Sequence, residues 1–149
     1  MSESQLMTKQ RLATYVSLRL ENENRMERLA RLKNEAEIPA IRPSDGSQHM
    51  PGGNGRLERA IVRAMEYKER IKPLIEANRR EMETIESAIA ALPDPMEREV
   101  LRLRYIDGKN CKLMPWRDIA IVLYGENDEA QIRAVFRLHG KALQHIRGG

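Results

Sequence analysis

The 149 residues amount to about one domain, and 26 Lys and Arg stand against 22 Asp and Glu, a formal net charge of +4. Charged residues make up 32% of the chain and aromatics only 4%, the profile of long solvated helices rather than of a large aromatic core. A single cysteine, Cys111, excludes an intrachain disulfide, and no apolar run reaches the roughly 20 residues that a membrane-spanning helix needs. With no signal-peptide core at the N-terminus, the expectation is a soluble cytoplasmic protein with no membrane partner.

β-branched residues are sparse and no segment alternates convincingly, so the chain reads as all-α. The first helix is expected from about Ser4 to Glu35, with Leu12, Tyr15, Val16, Leu20, Met26, Leu29 and Ala30 along one stripe. The segment "IPAIRPSDGSQHMPGGNG", 38–55, follows with prolines and glycines and no periodicity, which predicts a flexible connector. A second long helix is expected from Arg56 to Ala91. Leu57, Ala64, Ile71, Asn78, Ile85 and Leu92 fall at seven-residue steps, the spacing of a coiled-coil seam. Pro73 should kink this helix. Asn78 sits on the seam, where it either fixes register or faces water. Residues 1–92 are therefore expected to form a helical hairpin that is also an oligomerisation element, giving a homodimer.

"LPDPMERE" marks the boundary to a second domain, 93–149. Asp94 can cap a helix with Pro95 in its first turn, and Glu97 stands at the spacing of a capping box. That helix, "PMEREVLRLRY", should bury Met96, Val100, Leu101 and Leu103 or Tyr105, and "DGK" should end it. A further helix is expected in "PWRDIAIVLYG", with Trp116 in the core. The last follows Asn127 or Asp128, and Ile132, Val135, Leu138, Ala142 and Ile146 form its apolar face.

After Glu129 the chain has no acidic residue, yet Arg133, Arg137, Lys141 and Arg147 follow; setting those four aside leaves the remaining charges balanced. With Gln144 they form a row on the exposed side of the last helix, expected to stand unopposed by acid one turn away. Long cationic and amide side chains on one rigid face are what phosphate neutralisation and major-groove reading require. Three short helices, the last two joined by a glycine-containing turn, have the layout of a helix-turn-helix. His139 and His145 are six residues apart and Cys111 lies in a loop, so they do not have a metal-site spacing, and His139 is expected to pack against the bundle. No phosphate loop, nucleophile elbow or carboxylate pair is present, so no enzyme activity and no cofactor are expected.

From Leu92 onward, "LPDPMEREVLRLRYIDGK", "WRDIAIVL" and "AVFRLHGKALQHIR" resemble region 4 of bacterial sigma factors. They resemble more closely the phage transcriptional regulators of the ArpU and RinA kind. That resemblance implies a sequence-specific regulator of phage or prophage late genes that binds double-stranded DNA and contacts RNA polymerase. The family's groove-facing positions fall on Ile132, Arg133, Ala134, Phe136 and Arg137. Between Leu123 and Val135 this chain carries a few residues more than the family pattern, which either lengthen the turn or start the last helix earlier. Two other readings stay open: a DNA-packaging protein akin to a small terminase subunit, and an adaptor whose basic helix docks on an acidic protein.

Overall fold

The computed structural model describes residues 6–41 and 51–148, which are helical without any strand. The helices are α1 (Lys9–Ile41), α2 (Pro51–Ala90), α3 (Pro95–Tyr105), α4 (Trp116–Tyr124) and α5 (Glu129–Gly148). A single 3-10 turn, Lys109–Cys111, lies between α3 and α4. No helix among the described residues is long and apolar enough to cross a membrane.

The expected ends of the two long helices need correction. α1 begins at Lys9 rather than Ser4, and it continues to Ile41, through Pro39 in its last turn. α2 begins at Pro51, a residue suited to a first turn because its missing N–H would have no helical acceptor there. The expected connector is shortened accordingly, and what remains of it, 42–50, lies outside the described residues. α2 runs through Pro73 as one helix.

The chain divides into two compact units, residues 1–20 with 79–149, and residues 21–78. The packing therefore does not divide at 92/93, as the boundary signals suggested. In the first unit Leu12, Tyr15, Ile85, Ile89 and Leu92 share one core with Val100, Leu101, Tyr105, Ile119, Val135 and Ala142. The start of α1 and the end of α2 thus cover the apolar faces of α3, α4 and α5. Arg11 clasps Glu81 through Nε and a terminal nitrogen at 2.7 and 2.8 Å, and this holds the guanidinium's pKa up and the carboxyl's down. The Tyr15 hydroxyl donates to Glu86 at 3.0 Å.

In the second unit, α1 and α2 run antiparallel: Asn22 meets Ile75 and Asn78, and Glu35 meets Arg63. The α2 seam faces α1, with Ala60, Ala64 and Ile71 buried opposite Leu29. Asn78 neither sits dry nor merely faces water. Its amide donates to Glu21 at 3.1 Å and to Asn22 at 3.2 Å, a polar crossing between the helices. Leu20 and Met26, placed on the α1 stripe by periodicity, are exposed.

Local chemistry explains the short helices. Asp94 Oδ1 accepts the Met96 N–H at 2.8 Å, so it caps α3, and Pro95 opens the first turn. Glu97 does not complete a capping box; it is buried and bonds His145 of α5 instead. Met96, expected inside, is exposed on the first turn, whereas Val100, Leu101, Leu103 and Tyr105 are all buried. Gly108 admits no side chain, because a Cβ there would lie against the Lys112 carbonyl. Gly125, at φ +79°, ends α4 by donating its N–H to Ile121, and this left-handed conformation favours glycine.

Candidate nucleic-acid interface

α4 and α5 are separated by Gly125 to Asp128 alone. Glu129 to Ala134 lie within α5, and the turn before it is four residues long. Asp128 caps the helix: its side chain accepts the Gln131 N–H at 3.3 Å and its carbonyl accepts the Ile132 N–H at 3.0 Å. Glu129 lies at the positive end of the helix dipole.

The inner face of α5 is built from Val135, His139, Ala142 and Ile146, all buried, with Ile132 and Leu138 half-buried beside them. His139 shares a 2.7 Å hydrogen bond with the Tyr105 hydroxyl of α3, and its ring meets Trp116 of α4 edge-on at 4.7 Å. Burial, helped by the positive charges of Lys9 and Arg104, pushes the His139 pKa down to about 4, so the ring is neutral at physiological pH. The Arg104 guanidinium stacks over the same indole at 4.0 Å and donates to the Met114 carbonyl at 2.7 Å. Burial lowers the Arg104 pKa. At the C-terminal end, His145 Nδ1 meets the buried Glu97 carboxylate at 2.7 Å. These polar ties fix the rotation of α5 about its axis, and with it the direction of the outer face.

That outer face carries every residue expected there. Arg133, Arg137, Lys141, Gln144 and Arg147 are all exposed, spaced by three, four or seven so that they project from one side. From Arg133 to Arg147 the row spans about 21 Å at 1.5 Å per residue. Arg137, Lys141 and Arg147 have no ion pair among the described residues. Arg133 corrects the expectation of an unopposed row: Glu129, one turn earlier, pairs with it at 3.2 Å. The acid at helical spacing was visible in the sequence; its pairing needed α5 to begin at Glu129.

Of the positions implied by the family resemblance, Arg133, Phe136 and Arg137 are exposed, whereas Ile132 and Ala134 are half-buried. Phe136 lies edge-on to Trp116 at 5.1 Å while remaining 47% exposed. Two features of this surface, Arg117 and Gly140, were not picked out from the sequence. Arg117 is exposed in the first turn of α4. Gly140 sits in the middle of the basic row with open space where a Cβ would be. Glu126, Asp128 and Glu129 place negative charge at the end of α5 where the row begins. Cys111 is buried in the α3–α4 loop, and no group of three or more His, Cys, Asp or Glu among the described residues could hold a metal ion.

No protein-family model matches the chain, and neither a curated protein nor a solved structure matches it.

Proposed function

We propose that α4, the short turn and α5 form a helix-turn-helix, and that the protein is a sequence-specific regulator of transcription that binds double-stranded DNA. The observation that carries this reading is the outer face of α5, where five cationic or amide side chains project from a helix whose rotation is held by buried polar contacts. The row is longer than the roughly 12 Å width of the major groove. Its first part, Arg133 and Arg137, enters the groove, and Lys141, Gln144 and Arg147 lie along the phosphates. Arg117, at the start of α4, meets the backbone on the near side. The acidic start of α5 repels phosphate, which favours entry by the second and third turns of the helix rather than by its tip.

The motifs shared with sigma region 4 and the phage regulators support a role at phage or prophage late genes. A protein contact by the same module is favoured by α4, whose Ile121, Val122 and Tyr124 are 47%, 57% and 40% exposed. Apolar side chains on a helix that crosses DNA have no phosphate to meet, and RNA polymerase is the partner that the resemblance implies. The test is selection from a pool of random duplexes. The wild type should enrich one motif, and Arg133→Ala with Arg137→Ala should lose it. Enrichment of no motif would leave α5 as a protein-docking face, the adaptor reading.

A further inference from the structure

We infer that a second copy of this chain packs antiparallel on the outer face of α2, centred on Met65. The inner face of α2 is already occupied within the unit 21–78, where Ala60, Ala64 and Ile71 are buried. Beside that face Glu58, Met65 and Lys72 follow at seven-residue steps on an exposed stripe, with Ile61 and Val62 between the first two and Lys68 and Glu69 between the last two. Ile61, Met65 and Lys68 border a groove against Lys33, Ala36 and Glu37 of α1. This is a second heptad stripe on the same helix. Met65 is 63% exposed, Val62 48% and Ile61 42%, a contiguous apolar patch on an otherwise charged surface.

The charges around the patch say what covers it. Glu58 ends it on one side and Lys72 on the other, and Glu58 has no ion pair among the described residues. A two-fold axis through Met65 sets Glu58 opposite Lys72 of the partner subunit, and the pair recurs at the other end. Ile61 then faces Lys68 of the partner subunit, whose aliphatic stem can lie over it. Val62 faces Glu69 of the partner subunit, a carboxylate already held by its own Lys72 at 3.8 Å. A parallel arrangement would set Glu58 against Glu58 and Lys72 against Lys72, so the charge pattern selects the antiparallel one. Sequence periodicity had placed self-association on the Leu57–Leu92 seam. Ala64 and Ile71 of that seam are buried in the unit 21–78 and Ile85 and Leu92 lie in the core of the other unit, so the surface left for a second copy is the exposed stripe through Met65. This inference does not depend on DNA binding.

The test is sedimentation of the full chain over a concentration series, with circular dichroism to show that each variant is helical. The wild type should dimerise. Glu58→Lys and Lys72→Glu should each weaken the dimer roughly fivefold or more, because each places like charges together at both ends. The double reversal should bring affinity back to within about twofold of the wild type. Met65→Cys, with its two sulfurs on the axis, should form an interchain disulfide under mild oxidation. A wild type that stays monomeric, single reversals without effect, or a double reversal weaker than either single one would each overturn the inference.

Discussion

His139 makes the first unit sensitive to acid in a defined window. The ring ordinarily titrates near 6.5, but burial beside Tyr105 and Trp116 holds it near 4 in the folded chain. On acidification the unfolded chain therefore takes up a proton that the folded chain refuses. The stabilisation is complete above pH 6.5, is lost as pH falls toward 4, and changes little below that. A difference of this size corresponds to about 3 kcal/mol in all and about 2 kcal/mol by pH 5. Glu81 does not confuse the result. Its pKa is depressed by Arg11, so its contribution is lost only below the ordinary carboxylate range. The assay is urea unfolding at pH 7.5, 6 and 5, followed by fluorescence of Trp116, the single tryptophan, whose ring touches His139. His139→Gln supplies the comparison, since its amide offers Tyr105 both a donor and an acceptor and cannot charge. The wild type should lose about 2 kcal/mol more than the variant between pH 7.5 and 5. Equal losses in the two proteins would refute the reasoning.

Gly140→Ala should raise thermal stability by about 1 kcal/mol, because alanine is the better helix former and the added Cβ meets open space. A loss of stability in the same melt would mean that something covers this position. Asn78→Leu removes the hydrogen bonds to Glu21 and Asn22, but Asn22 keeps Arg25 as a donor at 3.1 Å. The substitution should therefore stabilise the protein, by up to about 1 kcal/mol in denaturant unfolding; a clear loss would show that the polar crossing is structural. Glu129→Gln should act in two directions. Helix stability should fall by about 0.5 kcal/mol as the dipole loses its anion. DNA affinity at low salt should rise as Arg133 is freed and a repulsion is removed, and an unchanged affinity would place the start of α5 away from the phosphates.

The short helices were legible because their signals are local. Asp94, Pro95, Gly125 and Asp128 act within one turn, through a cap, a fixed φ or a positive φ, and α3, α4 and α5 begin and end beside them. The end of α2, at Ala90, was marked by Leu92 and Pro93, but α1 and the start of α2 had no such stops, and a heptad pattern does not say where it ceases. Periodicity likewise marks a side as apolar without naming what covers it. Leu12 and Ile85 were read as hairpin positions, but they share a core with Val100 and Val135, residues distant in sequence. The Glu97–His145 tie escaped for the same reason: the capping-box spacing was genuine, but a partner from α5 competes for the carboxylate and holds it. The outer row of α5 was readable as a face, since exposure there follows from helical spacing alone.

The most direct test of DNA reading by α5 is binding of the wild type, Arg137→Ala and Lys141→Ala to a selected duplex and a random duplex across a salt series. Arg137→Ala should lose roughly 1–3 kcal/mol on the selected duplex and much less on the random one, because a base-edge contact is sequence-dependent. Lys141→Ala should weaken both alike and make the salt slope shallower by about one unit, because a phosphate contact releases a counterion on any sequence. Unchanged affinity of both variants for both duplexes would contradict the account and make the basic face of α5 a surface for protein.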